Sequence, residues 1–235
     1  HPIITLLGRG GIGKTSLALK VLTQIAEGTR FDVLLWFSAR DVDLQVTGPK
    51  PVKPHVFSPY GVGRLYVELV CPEKIKEQGF RCREHFEEQL AASDLGACLF
   101  VFDNFETTQN PEELYQWLDT HIRLPNKVLI TTRLRDFKGD YPVEIGGMID
   151  QEARSLISLT ATQLSITSLL NETFIASLIK QAEGHPYVIK ILLGEVAKQG
   201  RTGDIPRLVA GRDEILTALF ERTYASLPPC AQRAF

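Results

Sequence analysis

This 235-residue sequence predicts an α/β fold, a mostly parallel sheet with helices on both faces, followed by a small all-α part. Three observations carry the prediction. Short, nearly all-apolar runs alternate with stretches of helical periodicity. A glycine-rich stretch, GRGGIGKT (8–15), joins the first of these runs to the first helix. After about residue 148 the strand pattern ceases and only helical patterns follow.

Taken in order, PIITLL (2–7) is a buried strand that stops at Gly8. Ala18, Val21, Leu22 and Ile25 then recur at helical spacing, which predicts a helix over 15–27. FDVLLWFS (31–38) is the second strand. From 41 to 60, Pro49, Pro51, Pro54 and Pro59 are expected to interrupt any regular element, as in an insertion or extended loop. EHFEEQLAA (84–92) is a polar-faced helix, ACLFVF (97–102) a third strand and KVLITT (127–132) a fourth, with YPVEI (141–145) a shorter fifth. Phe174, Ile175, Leu178, Ile179 and Ala182 form one helical face. PYVIKILLGEVAK (186–198) is apolar nearly all round, as a helix inside a bundle would be. Ile215, Leu216, Leu219 and Phe220 give a further amphipathic helix, closed by LPP (227–229). This pattern places a boundary at about 148, between an α/β part and an all-α part.

With 44% hydrophobic and 23% charged residues the chain can bury a sizeable core. The net charge of −2 and pI near 6.3 argue against broad phosphate-backbone binding, a local basic patch aside. Cys71, Cys82, Cys98 and Cys230 form no CxxC and no zinc spacing, so they are expected to be reduced thiols, with Cys98 in the core. No apolar run approaches the ~18 residues of a membrane span, and no signal-peptide pattern opens the chain. A cytoplasmic location is the expectation. The start at His1, directly on a strand, suggests a piece of a longer protein.

GRGGIGKT matches G-x-x-x-x-G-K-[ST] between a predicted strand and a predicted helix. Glycines let successive backbone N–H groups turn inward and cradle phosphate oxygens, and the helix N-terminus adds a favourable dipole. On this reading Gly10, Gly11, Ile12, Gly13, Lys14, Thr15 and Ser16 bind the nucleotide. Lys14 reaches the β- and γ-phosphates and the Thr15 hydroxyl ligates Mg²⁺.

LFVFDNFE (99–106) places Asp103 at the C-terminal end of a buried strand, where α/β sheets bind ligands. Asp103 is therefore the second candidate partner of Mg²⁺. The next residue, where a fast ATPase would carry a second acid, is Asn104, and an amide cannot take a proton from water at neutral pH. Glu106 is the remaining nearby carboxylate; an inward turn would let it orient a water, and surface exposure is equally compatible with the sequence. KVLITTR (127–133) ends on Thr131, Thr132 and Arg133. An arginine there can sense a γ-phosphate through charge-assisted hydrogen bonds, although a solvated surface arginine fits the same pattern. Asn126-Lys127 lacks the Asp of a guanine-reading NKxD, so nothing supports a GTPase.

GRGGIGKTS, LFVFDNFE, KVLITTR and EGHPYVIKILLGE (183–195), in this order, resemble the STAND-class P-loop ATPases, the group of the NB-ARC (AP-ATPase-type) and NACHT signalling proteins. VLLWFSAR (33–40) is similar to the family's second strand. The resemblance implies an ASCE-type sheet, with the sensor strand between the phosphate-loop strand and the Mg²⁺ strand, and a helical domain that closes over the nucleotide. It further implies that Pro186, after Gly184, packs near the nucleotide as part of a G-x-P element. By the same resemblance the domains are 1–148, 149–211 and 212–235, with LPPCAQRAF (227–235) similar to the opening of a truncated winged-helix domain. Lys14, Asp103 and Arg133 are then the catalytic candidates, Thr15 and Asp103 the metal ligands, and ATP or ADP with Mg²⁺ the cofactors. The proline-rich 41–60 segment lies outside the family's core pattern.

The function implied is a slow ATPase that serves as an ATP/ADP switch in a signalling or defence protein. Its partners would be effector and sensor domains of the same chain and further copies of itself, with no direct nucleic acid contact by this segment and no membrane. Two other readings stay open: an AAA-like remodelling enzyme, and an ATP-dependent transcription regulator whose DNA-binding module lies elsewhere. Asn104 weighs against rapid turnover.

Overall fold

The computed structural model describes residues 1–39, 42–45, 48–51, 58–92, 94–134 and 141–202, with 42–45 and 48–51 as backbone. Among these the chain divides into two compact units. The first is drawn from His1–Arg9, Gly13–Val42 and Val52–Ile145, the second from Gly10–Ile12, Asp43–Pro51 and the residues from 146 on.

In the first unit the predicted apolar runs are strands: β1 (Ile3–Leu7), β2 (Val33–Ser38), β5 (Cys98–Asp103), β6 (Lys127–Thr132) and β7 (Pro142–Glu144). They form one five-stranded sheet in the order β2-β5-β6-β1-β7. The pairs β1–β6, β1–β7, β2–β5 and β5–β6 are all parallel. The strand ending in TTR thus lies between the phosphate-loop strand and the strand ending in Asp103, the order that the family resemblance implies. Register aligns Ser38 with Asp103 and Leu7 with Thr132, so the polar strand ends gather at one edge of the sheet.

Alternation along β5 explains why its sequence is almost continuously apolar. Cys98, Phe100 and Phe102 face one core while Leu99 and Val101 face another. The second of these cores is closed by Ala18, Leu22 and Ile25 of α1 (Lys14–Ala26). On the opposite face lie α2 (Pro59–Val70), α3 (Cys82–Ala91) and α4 (Pro111–His121), through Val62, Tyr66, Phe86, Leu90, Leu114 and Trp117. Aromatic rings dominate there: Phe37 stacks on Phe102 with centroids 4.9 Å apart, and Phe86 meets Phe100 edge-on at 5.2 Å. Each such ring contributes about 1.5–3 kcal/mol by burial. Helix α2 starts where Ser58 accepts a hydrogen bond from the Gly61 N–H and Pro59 opens the first turn.

Asn126, fully buried just before β6, joins three elements. Its amide donates to the carbonyls of Gln89 (2.9 Å), Leu90 (3.2 Å) and Ala92 (2.8 Å), and its oxygen accepts from the Cys98 N–H at 2.9 Å. It therefore caps the C-terminal end of α3, whose last carbonyls have no partner within the helix.

The expectation that 41–60 holds no regular element is corrected. Two short strands, β3 (Val42–Gln45) and β4 (Gly48–Pro51), pair with each other in a separate two-stranded sheet. Prolines 49 and 51 are tolerated because a two-stranded sheet consists only of edge strands.

The second unit carries α5 (Asp150–Gln163), α6 (Glu172–Ala182) and α7 (Pro186–Gln199) around a core of Ile157, Phe174, Leu178, Ile189, Leu192 and Val196. Between α6 and α7 the chain takes a left-handed turn at Glu183 (φ 50°) and Gly184 (φ 69°). The Met148 N–H donates to the Gly184 carbonyl at 2.8 Å. A Cβ on Gly184 would strike the Met148 backbone oxygen. Gly184→Ala is expected to destabilise this unit by at least about 2 kcal/mol, from left-handed strain plus backbone overlap; a thermal midpoint equal to wild type would refute it. The amphipathic pattern at 215–220, the winged-helix start at 212–235 and Cys230 lie outside the described residues. Cys71, Cys82 and Cys98 are free thiols, and Cys98 is in the core as expected.

Candidate functional site

The glycine-rich loop follows β1 and is tied to the sheet where the Gly8 N–H donates to the Thr132 carbonyl at 3.3 Å. Gly11 (φ 76°) and Gly13 (φ 103°) both occupy the left-handed region, which a Cβ would penalise. Gly13 is also the N-cap of α1 and offers no side chain to satisfy its first-turn N–H groups. Those donors, at the positive end of the helix dipole, are suited to an anion.

Lys14, the first helical residue, is only 6% exposed. Its ammonium donates to the carbonyls of Gly8 (2.8 Å) and Arg9 (3.0 Å). Burial lowers its pKa to about 8; Glu106 and Asp103 pull it back up, while Arg133 pushes it further down. Lys14, Glu106, Arg133 and Asp103 therefore share one electrostatic neighbourhood.

Asp103 is buried at the end of β5. Its Oδ1 accepts from the Thr15 hydroxyl and from the Thr131 hydroxyl, both at 2.7 Å. Thr131 in turn accepts from the Asn104 N–H at 3.0 Å. Residues far apart in sequence, Thr15 and Asp103, are thus in direct contact. They are hard oxygen donors of the kind Mg²⁺ prefers, since that ion usually takes one or two protein oxygens and fills its octahedron with water and phosphate. Among the described residues no cluster of three or more His, Cys, Asp or Glu is placed to hold an ion alone. The donor set accordingly fits Mg²⁺ held jointly with a phosphate.

Asn104 acquires a backbone reason. Its φ of 57° and ψ of 50° lie in the left-handed region, which Asn tolerates far better than most residues. The chain then enters a 3₁₀ turn, Phe105–Thr107, anchored by fully buried Phe105 and by the Thr107 hydroxyl, which donates to the carbonyls of Asn104 and Ala39. This turn settles the two orientations that the sequence left open for Glu106. The carboxylate points inward, with its side chain 9% exposed, and pairs with Arg133: Arg133 Nε lies 3.1 Å from Oε1, and the Arg133 N–H donates to Oε2 at 3.3 Å. Arg133 is correspondingly not a solvated surface residue, with its side chain 21% exposed.

Ser16 follows Thr15 in the first turn of α1, Gly10 and Ile12 group with the second unit, and Pro186 is the first residue of α7. The role of Thr131, which fixes both Asp103 and Asn104, was not legible from the sequence. The run of two threonines before Arg133 was its only signal.

The sequence matches no protein-family model and no curated protein. Its fold is similar to several solved structures. A STAND protein with a tetratricopeptide repeat sensor from Pyrococcus horikoshii is 20% identical over 96% of this chain and 30% of that one, at a TM-score of 0.49. Drosophila ORC bound to DNA is 11% identical over 84% and 50%, at 0.55. The Aeropyrum pernix ORC1 protein in complex with DNA is 18% identical over 97% and 63%, at 0.58. This chain therefore spans less than two thirds of each. The chain has the expected parallel α/β fold, which it shares with the two ORC structures; none of the three singles out NB-ARC or NACHT. The expectation that this segment makes no nucleic acid contact is overturned, because two neighbours of the same fold were solved with DNA. A net charge summed over a whole chain does not report the local distribution that decides contact with phosphates. No helix among the described residues is long and apolar enough to cross a membrane.

Proposed function

We propose that this chain binds ATP and ADP with Mg²⁺ and acts as the slow-hydrolysing nucleotide switch of a larger signalling or defence protein. The observation that carries the reading is the contact of Thr15 with Asp103 beside buried Lys14. Gly10, Gly11, Ile12 and Gly13 supply backbone donors to the phosphates, and Lys14 supplies the charge. Ser16 completes the first turn of α1 under the phosphates. Thr15 and Asp103 hold Mg²⁺, which when bound neutralises phosphate charge. Arg133 reads the γ-phosphate. Asn104 leaves the site without an acid directly after Asp103 to activate water, consistent with slow turnover.

Moving a two-state protein from 1:99 to 99:1 takes about 5.5 kcal/mol of differential binding, and several charge-assisted bonds to one γ-phosphate are of that order. A second reading, an AAA-like ATP-driven machine, draws on the likeness to the two ORC structures. Nucleotide content and steady turnover of the purified protein separate them. The switch predicts retained ADP and turnover well below one per second; hydrolysis above the ~1 s⁻¹ typical of enzymes selects the machine. Absence of any nucleotide binding would overturn both.

A further inference from the structure

We propose that Glu106 determines how strongly the site distinguishes a nucleoside triphosphate from a diphosphate, by holding Arg133 until a γ-phosphate displaces it. The inference rests on the nucleotide reading above and adds to it the residue that sets the threshold.

Both oxygens of Glu106 face the same arginine, one toward its guanidinium and one toward its backbone N–H. Little water screens this pair, since the two side chains are 9% and 21% exposed. Glu106 is also mounted on a firm support. Phe105 before it is fully buried, and Thr107 after it bonds back to Asn104 through both its N–H and its hydroxyl. The carboxylate therefore cannot simply follow the arginine elsewhere. Arg133 lies two residues beyond Thr131, whose hydroxyl holds Asp103, so the pair sits at the sheet edge that carries the metal candidates. Lys14, the phosphate-binding lysine, feels the charges of both Glu106 and Arg133.

A diphosphate leaves the pair intact. A triphosphate gains Arg133 only by breaking it, and then leaves the Glu106 carboxylate near a like charge. Glu106 thus weakens triphosphate binding selectively, while Arg133 strengthens it. The pair converts one phosphate into a change of partner for Arg133.

The test measures the affinities of the 235-residue chain for Mg²⁺–ADP and for Mg²⁺ with a non-hydrolysable ATP analogue, by titration calorimetry. Glu106→Gln is expected to raise the preference for the triphosphate by about tenfold or more, with that gain lost in an Arg133→Met background. Glu106→Asp, which keeps the charge but shortens the reach, is expected to shift the preference in the same direction and by less, and serves if the Gln variant does not fold. An unchanged preference in both Glu106 variants overturns the proposal. So does an equal gain with and without Arg133, which would make Glu106 a mere source of negative field. An unchanged preference with hydrolysis abolished would assign Glu106 to water activation instead and also overturn it. If the wild-type chain binds neither nucleotide, the nucleotide reading itself fails, an outcome distinct from all of these.

Discussion

Lys14→Ala is expected to lower affinity for both ATP and ADP by at least about a hundredfold and to leave the fold intact. The ammonium is buried and already satisfied by two carbonyl oxygens of its own loop, so it is positioned before any phosphate arrives. Charge-assisted hydrogen bonds contribute about 1.5–3 kcal/mol each, and a hundredfold loss corresponds to about 2.7 kcal/mol. The wild-type pKa of about 8 adds a pH signature. Phosphates bind the protonated amine, so affinity is level below about pH 7 and falls as pH rises through 8, approaching tenfold per pH unit. The alanine variant lacks this dependence.

The stability consequence runs the other way. Burial lowers the pKa of Lys14 below its unfolded value of 10.5, so holding the charged form costs the fold about 3 kcal/mol below pH 8, a cost relieved as pH climbs toward 10.5. Removing the lysine is therefore expected to leave the thermal midpoint at neutral pH unchanged or higher. Calorimetric titration of both nucleotides across pH, with thermal melts of each protein, checks the pair of statements. Unchanged nucleotide affinity in the variant would overturn the phosphate-loop reading.

Asn126→Leu is expected to have the largest effect on stability, a loss of about 3–5 kcal/mol. Leucine matches asparagine in shape but strands the Cys98 N–H and the carbonyls of Gln89 and Ala92, while the Leu90 carbonyl keeps the Arg123 N–H at 3.0 Å. Each buried polar group stranded in this way costs about 1–3 kcal/mol. Asn126→Asp keeps the acceptor for Cys98 but turns a negative oxygen toward three carbonyls, and is expected to be at least as damaging at pH 7. Chemical denaturation measures both; a loss below about 1 kcal/mol in each would show that Asn126 is not the cap of α3. Because Asn126 joins the starts of β5 and β6, its loss also loosens the strands that present Asp103 and Thr131.

These two residues mark the limits of reading the sequence. Lys14 was legible as a candidate because its motif is local: glycine spacing, lysine and threonine lie within one loop between a strand and a helix. Asn126 was legible only as half of a guanine-reading motif that is incomplete here. Its actual work depends on three carbonyls more than 30 residues away. The helix at Pro59–Val70 was hidden for a similar reason, since it follows a proline-rich stretch and starts on a proline of its own. Asn104 is a further case. The sequence suggested slow chemistry at that position, and the backbone supplies a conformational reason for the same amide.

What the sequence by itself determined is the alternation of strands and helices, the glycine-rich loop between β1 and α1, and Asp103 and Arg133 at the ends of their strands. Periodicity and motif spacing are properties of short stretches, and burial on both faces of a parallel sheet leaves an unmistakable apolar run. Only the tertiary structure decided the contact of Thr15 with Asp103, the double duty of Thr131 and the pairing of Glu106 with Arg133. Those depend on sheet order and on the direction in which a single 3₁₀ turn aims a carboxylate. Neither is encoded within a short stretch of sequence, because neither arises until distant segments pack.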